Sequence, residues 1–151
     1  MMKRGIYYKK SMSKIMGIDY GLKRIGIAIT DLLRIIARPF DIIKNVSLKK
    51  NVLKILEIAK NNDVSVIVLG LPLNMNGTEG GMAETVRKFI EEIKFLSNIE
   101  VTTVDERLTT VQAERMLIGE ADISRERRKG LKDKIAAALI LQTYLDMQAE
   151  K

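Results

Sequence analysis

The chain has 151 residues and a formal net charge of +7, and 46% of its residues are hydrophobic. This length predicts one globular domain with a single core, and the basic balance favours a polyanionic partner such as nucleic acid. The sequence contains no cysteine and no histidine, which excludes disulfides, thiolate zinc sites, thiol nucleophiles and histidine acid–base catalysis. A site built from carboxylates would instead favour hard cations such as Mg²⁺ or Mn²⁺.

The N-terminal stretch "MMKRGIYYKKSMSKIM" is basic but lacks the continuous apolar segment of a signal peptide. No apolar run approaches the roughly 20 residues that span a membrane. We therefore expect a cytoplasmic protein, with a flexible basic extension over residues 1–13 and one domain over residues 14–151. Met12 is a candidate for the true start, because the first predicted strand follows it almost at once.

Three short apolar runs predict three consecutive strands over residues 14–19, 24–31 and 34–44. The link between the first two contains Gly21 and favours a hairpin. Pro39 lacks a backbone N–H, so it places the third strand at an edge or interrupts it. Short turns between successive strands imply an antiparallel meander.

Helices and strands alternate in the rest of the chain. Ser47 is a typical N-cap for the first helix, and the apolar residues that follow at helical spacing are Leu48, Val52, Leu53, Ile55, Leu56 and Ala59. Later elements are predicted as a strand at 64–70, a helix at 78–96, a strand at 99–104 and helices at 109–119 and 132–150. We interpret "ADISRERRKG", between the last two helices, as a mobile basic segment. This order predicts an α/β fold, a mixed five-stranded sheet with helices on both faces.

Three acids stand out because they lie at the ends of predicted elements: Asp19 ends the first strand, Glu106 follows the fifth, and Asp133 starts the last helix. Carboxylates that converge at a sheet edge repel one another unless a cation lies between them. Two Mg²⁺ or Mn²⁺ ions held there would support phosphodiester cleavage without histidine.

Each acid also has a simpler interpretation. Asp19 suits a turn, Glu106 could form an exposed ion pair with Arg107, and Asp133 would complement a helix dipole. Asp105 competes with Glu106 for the role, and strand alternation directs only one of the two towards the site. The small residues of "IAAAL" would let the last helix approach the sheet closely, although alanine also simply favours helices.

The loop "GLPLNMNGTEGG" is glycine-rich and precedes a helix, where backbone N–H groups can hold a phosphate. It lacks the closing Gly-Lys-Ser/Thr of a P-loop, and an ordinary strand-to-helix turn explains it equally well. The residues that we select as candidate nucleic-acid contacts are Asn74, Gly77 and Thr78 of this loop and the basic residues Lys23, Arg24, Arg107, Arg125, Arg127 and Arg128.

Four segments together resemble the YqgF family, also called RuvX: "GIDYGLKRIGIAITD", "VLGLPLNMNGTEG", "VDERLTTVQAERML" and "KDKIAAALILQTYLD". The resemblance spans about residues 14–147. It implies a ribonuclease H-like sheet of order 3-2-1-4-5, and it selects Asp19, Glu106 and Asp133 as catalytic acids that bind the metal. It also implies processing of the 5′ end of pre-16S rRNA in the bacterial cytoplasm. Members of this family have also been described as Holliday junction resolvases.

Several alternatives remain open at the level of the sequence. Cleavage of branched DNA would use the same metal chemistry, and the chain could act as a monomer or as a homodimer. The segment "GIDYG" also resembles the start of actin-like and sugar-kinase nucleotide-binding domains, which normally work as two domains around the nucleotide. A catalytically silent RNA-binding factor is the third alternative.

Overall fold

A mixed five-stranded sheet of order β3-β2-β1-β4-β5 forms the centre of the structure. The computed structural model describes residues 13–107 and 125–150, and for 125–134 it describes the helical backbone alone. The strands are β1 (Lys14–Tyr20), β2 (Arg24–Thr30), β3 (Ala37–Lys44), β4 (Val64–Leu71) and β5 (Glu100–Asp105). β1 pairs with β2 antiparallel and with β4 parallel, and β5 extends the parallel half. The predicted strand order and mixed sheet are confirmed.

Helices cover both faces of this sheet. They are α1 (Leu48–Asn61), α2 (Gly81–Leu96) and α3 (Arg125–Ala149). One core layer joins Ile18 and Ile67 of the sheet to Phe89 of α2, whereas the other joins Val68 to Ile140 of α3. The central strands are buried on both faces, which explains their continuous apolar sequences. Within the described part of the chain, no helix is long and apolar enough to cross a membrane.

Local signals placed several of these elements correctly. β3, with Pro39, is an edge strand, and its register with β2 shifts at the position opposite Ala28. The Ser47 side chain caps α1 by accepting a hydrogen bond from the backbone N–H of Lys50. Gly21 makes the tight β1–β2 turn, where its N–H donates to the carbonyl of Arg24 at 2.9 Å.

The apolar stripe predicted for α1 is partly wrong. Leu48 and Leu53 are 38% and 51% exposed, while Asn51 and Ile58 lie on the buried face. Asn51 can be buried because its carboxamide accepts from the N–H of Val46 at 3.0 Å and donates to Asn45 at 2.7 Å. A hydropathy pattern alone misses a polar residue whose partners are supplied by a neighbouring loop.

Two helix boundaries also differ from the prediction. α2 begins at Gly81 rather than at Thr78, because Thr78 belongs to a hairpin that precedes the helix. α3 begins at Arg125, so residues 125–130 are helical and Asp133 lies in the third turn rather than at the helix start. The complementarity with the helix dipole proposed for Asp133 therefore does not apply. The predicted helix at 109–119, the extension over residues 1–12 and residues 121–124 of the basic segment lie outside the described residues.

Candidate metal centre and nucleic-acid interface

The carboxyl ends of β1, β4 and β5 meet at one edge of the sheet because these three strands are parallel. Ile18 pairs with Leu69, and Gly70 pairs with Val104, so Asp19, Gly70 and Val104 lie at neighbouring positions across the sheet. Side chains alternate along a strand. Asp19 therefore lies on the face of Gly17, which is the face covered by α3.

Glu106 is fixed just beyond the end of β5. Its backbone N–H donates to the carbonyl of Leu71 at 3.0 Å, which extends the β4–β5 pairing by one bond. Its carboxyl carbon lies 3.5 Å from the place where a Cβ atom would stand on Gly70. The Glu106 carboxyl group thus lies over Gly70, at a distance where a Cβ atom would be in ordinary van der Waals contact with it.

The carboxyl groups of Asp19 and Glu106 are in hydrogen-bonding contact. Burial, followed by the hydrogen bond and the negative charge of Asp19, raises the pKa of Glu106 to about 8 from its ordinary value of 4.5. At neutral pH the two groups therefore share one proton. The structure thus brings Asp19 and Glu106, two of the three acids selected from the sequence, into contact. Their spacing along the chain could not show this contact.

This pair suits a divalent cation. Two carboxylates in contact repel one another when both are ionised, and a hard cation can take the place of the shared proton. Among the described side chains there is no group of three or more acidic, cysteine or histidine residues that could hold a metal. The side chain of Asp133, the third predicted ligand, lies outside the described part of the molecule.

The backbone of α3 nevertheless places Asp133 towards the same edge. A Cβ atom on Gly17 would lie 2.8 Å from the carbonyl oxygen of Ala137, whereas Tyr144 lies near Glu100, at the opposite end of the sheet. Burial and the Glu100 charge both raise the pKa of Tyr144. α3 therefore runs antiparallel to β1, and residues before Ala137 extend towards the carboxyl edge. Asp133 precedes Ala137 by one helical turn.

The predicted close approach of α3 is confirmed, but it depends on glycines of the sheet that the sequence reasoning missed. A Cβ atom on Gly17 would also lie 2.7 Å from Cβ of Leu141, and one on Gly70 would lie 2.5 Å from Cδ1 of Ile140. Real Cβ atoms do not approach so closely. A glycine inside a strand is the general signal for such an approach.

Asp105 and Glu106 have separate partners. The carboxylate of Asp105 forms an ion pair with Arg107, with 2.6 Å between Oδ2 and Nη2. The hydrogen bond from Arg107 lowers the pKa of Asp105, whereas burial and then contact with Asp19 raise the pKa of Glu106. Only one of the two neighbouring acids thus joins Asp19, as strand alternation predicts.

The loop between β4 and α2 is a small hairpin formed by residues 73–79, which we call the 73–79 hairpin. Leu73 and Glu79 form a β-bridge, and the N–H of Asn74 donates to the carbonyl of Thr78 at 2.8 Å. The side-chain amide of Asn74 donates to the Thr78 hydroxyl group, which in turn contacts Asn76. Asn74 and Thr78, two candidate contacts for nucleic acid, are therefore bonded to each other.

The remaining candidate contacts lie on three elements. Lys23 is exposed in the β1–β2 turn and Arg24 opens β2, both within five residues of Asp19. Gly77, in the 73–79 hairpin, has a φ of 85°, which an L side chain rarely adopts. The basic residues placed in the first turn of α3 are Arg125, Arg127 and Arg128.

Comparison with known proteins assigns the chain to a family. The RuvX family model, described as a Holliday junction resolvase, matches residues 13–147. A protein of Endomicrobium trichonymphae named "Putative pre-16S rRNA nuclease" is 85% identical over 140 residues, which cover 93% of this chain and 100% of that protein. A protein of the same name from Thermoanaerobacter pseudethanolicus is 49% identical over 138 residues, which cover 91% of this chain and 99% of that protein.

Solved structures agree on the fold. The T. thermophilus RuvC in complex with a Holliday junction substrate matches with a TM-score of 0.57 at 17% identity, over 90% of this chain and 96% of that one. The Fowlpox virus resolvase with Holliday junction DNA matches with a TM-score of 0.55 at 16% identity, over 89% and 98%. These likenesses show a ribonuclease H-like fold of the resolvase type. With a family match over nearly its whole length, the chain belongs to the RuvX family of nucleases.

Proposed function

We propose that the chain is a metal-dependent nuclease that hydrolyses phosphodiester bonds and processes the 5′ end of pre-16S rRNA in the bacterial cytoplasm. The observation that supports this most directly is the contact between the Asp19 and Glu106 carboxyl groups at the carboxyl edge of the sheet. The names of close relatives supply the substrate. The charge of +7 favours a polyanion.

In this proposal Asp19 and Glu106 hold Mg²⁺ or Mn²⁺, and Asp133 completes the ligand set from α3. The chemistry that two bound ions supply is the activation of an attacking water and the stabilisation of the leaving oxygen. Glu106 must give up its proton before it can ligate, since a carboxylate binds cations in its ionised form. The products would be a 5′-phosphate and a 3′-hydroxyl.

The same edge supplies positive charges for the nucleic-acid backbone. Lys23 lies in the β1–β2 turn four residues after Asp19, Arg24 begins β2, and Arg107 directly follows Glu106, so basic residues follow each acid of the pair within five positions. We propose that Lys23 and Arg24 contact phosphates on either side of the scissile bond. In the same scheme Arg107 and the 73–79 hairpin line this path, and the first turn of α3 extends it.

Replacement of Asp19 by Asn tests the site. Asp19→Asn removes a metal-ligating charge at nearly unchanged size, so we expect Mg²⁺-dependent cleavage of precursor rRNA to be abolished while RNA binding is largely retained. The matched control is Asp63→Asn, which makes the same change in an exposed residue at the opposite end of the sheet. Undiminished cleavage by Asp19→Asn would refute the assignment.

Cleavage of four-way DNA junctions is the second candidate, because the family model is described as a Holliday junction resolvase. Purified protein should be offered precursor rRNA and a synthetic junction in parallel, each with and without Mg²⁺. A resolvase that cuts two strands symmetrically is usually a dimer with two-fold symmetry. Cleavage of the junction alone by a dimer would favour this candidate, whereas cleavage of the RNA alone by a chain that is a strict monomer in solution would count against it.

A further inference from the structure

Arg107 joins two separate parts of the carboxyl edge. Its Nε and Nη2 atoms donate to the Asp105 carboxylate at 3.0 and 2.6 Å, and its Nη1 atom donates to the backbone carbonyl of Met75 at 3.3 Å. The backbone N–H of Arg107 also donates to Asp105 at 3.0 Å. The guanidinium group thus ties the end of β5 to the tip of the 73–79 hairpin.

We propose that Asp105 is a positioning residue: by fixing the Arg107 guanidinium it holds the 73–79 hairpin beside the acid pair, so that Met75 contacts an unpaired base next to the scissile phosphate. This inference rests on the proposed nuclease function and adds a substrate class, a strand that is single-stranded at the cleavage point. We call the contacts among Asp105, Arg107 and Met75 the clamp.

The geometry of the clamp requires arginine. A planar guanidinium group presents its N–H bonds in a fixed fork, which allows it to bond a carboxylate on one side and a carbonyl on the other. A lysine ammonium group would keep the charge but not this fork. If Arg107 acted only as a point charge for phosphate, lysine would largely replace it.

The hairpin that the clamp holds is itself well bonded. Its internal hydrogen bonds join Asn74 to Gly77 and to Thr78, and its last residue, Glu79, forms two hydrogen bonds with Arg87 of α2, at 3.1 and 3.2 Å. The hairpin is therefore bonded to α2 through Glu79 and to the end of β5 through Arg107. A loop fixed at both sides can set the distance between its tip and the acid pair.

The tip presents an apolar side chain to solvent. Met75 is 93% exposed, while Asn74 and Thr78 bond to each other. Leu22, in the β1–β2 turn three residues after Asp19, is also exposed, at 76%. Apolar side chains such as methionine and leucine can insert between neighbouring bases, which costs the energy of unstacking them in a duplex. A base that is already single-stranded has the lowest cost of this kind, so an exposed methionine favours a single strand over a duplex. Such contacts do not read a base sequence.

A binding measurement tests the inference without requiring cleavage. The full chain, labelled with ¹³C in its methionine methyl groups and with Ca²⁺ in place of Mg²⁺, is titrated with a short single-stranded RNA and with a duplex of the same sequence. We expect the Met75 signal to shift with the single strand far more than with the duplex, and this shift to shrink in Asp105→Asn. Met147, 49% exposed near the end of α3, is the internal control. An unchanged Met75 signal would overturn the proposal.

Kinetics on a cleavable single strand provide the second measurement. Loss of a charge-assisted hydrogen bond predicts a KM raised roughly tenfold in Asp105→Asn and in Arg107→Lys, with kcat within about twofold. The double variant should be no worse than either single variant, because both act through one contact. Glu84→Gln, which removes an exposed ion pair of α2, is the control.

The two measurements separate this inference from the proposed function. Additive effects, or an unchanged KM in Arg107→Lys, would show that Asp105 and Arg107 do not act as one clamp and would overturn the inference. If the Met75 signal shifts but the wild-type chain cleaves no RNA, the positioning role stands and the nuclease proposal fails.

Discussion

At the scale of single residues, the contact between Asp19 and Glu106 would couple the proposed metal binding to the release of a proton. Burial and the neighbouring carboxylate raise the pKa of Glu106 to about 8, so near neutral pH a cation must displace a proton from the pair.

Asp31, by contrast, has an ordinary structural role: its carboxylate accepts hydrogen bonds from the N–H groups of Ile35 and Ile36 at 2.9 and 3.0 Å. These hydrogen bonds lower the pKa of Asp31.

The raised pKa of Glu106 predicts how stability depends on pH. Between pH 4.5 and about 8 the folded, metal-free chain holds a proton that the unfolded chain has released, so its free energy of unfolding falls as pH rises through this window. Glu106→Gln removes this effect. We expect the variant to be more stable than wild type by about a few kcal/mol at pH 8.5, with little difference at pH 4.5.

Urea unfolding in the presence of a chelator measures this difference at both pH values. Asp19→Asn should show the same trend to a smaller extent, because burial is the largest cause of the raised pKa of Glu106 and the Asp19 charge adds to it. A difference between Glu106→Gln and wild type that is equal at pH 4.5 and pH 8.5 would contradict the pKa shift.

At the scale of elements, α3 packs closely against the sheet at two glycines. Gly17 of β1 lies under Ala137 and Leu141, and Gly70 of β4 lies under Ile140. Because α3 packs this closely, its backbone directs the turn containing Asp133 towards the carboxyl edge. The geometry of the proposed metal centre is thus set by helix–sheet packing as much as by the acids.

Replacement of Gly17 by alanine tests whether α3 needs this close packing. The added Cβ atom would meet backbone as well as side-chain atoms of α3, so we expect a loss of about 1–3 kcal/mol in the free energy of unfolding. Metal affinity should fall with it. Gly81→Ala is the control, since nothing lies within 4 Å of its Cβ position at the start of α2. Equal stability of the two variants would show that α3 can shift without cost.

The elements were largely predictable because each has a local physical signal. Pro39 marked the edge strand, and Ser47 marked the start of α1. Contacts that depend on the whole fold were not predictable. These are the packing of α3 against Gly17, the burial of Asn51, and the contact of Asp19 with Glu106 across β4. The strand order came from the resemblance to a family, because spacing alone allows other arrangements.

At the scale of the whole molecule, an acidic centre lies within a basic protein. The net charge of +7 favours the approach of a polyanion, while the acid pair repels phosphate unless a cation or a proton neutralises it. Binding and cleavage should therefore differ in their dependence on salt and metal. Under the proposed function, RNA binding would need only the surface charges, whereas cleavage would also need the divalent ion.

Salt dependence measures the contribution of single cations to binding. For single-stranded RNA, the logarithm of the association constant should fall linearly with that of the salt concentration, and loss of one phosphate contact reduces the slope by about 0.7. We expect this reduction for Lys23→Gln. Lys60→Gln, in the last turn of α1 and next to the amino ends of the parallel strands, is the control. If the salt-dependence slopes of Lys23→Gln and Lys60→Gln were equal, Lys23 would not contact the RNA.

The glycine at position 70 has a consequence for engineering. Ile140 fills the space above it and the Glu106 carboxyl group lies within contact distance of the same position, so a larger or smaller core residue at 140 would alter the surroundings of the carboxyl group. If Glu106 binds the metal as proposed, we expect substitutions on the α3 face to change stability and metal affinity together. A thermostable version of this enzyme should be sought on the opposite face, where Phe89 and Ile67 pack in a separate layer.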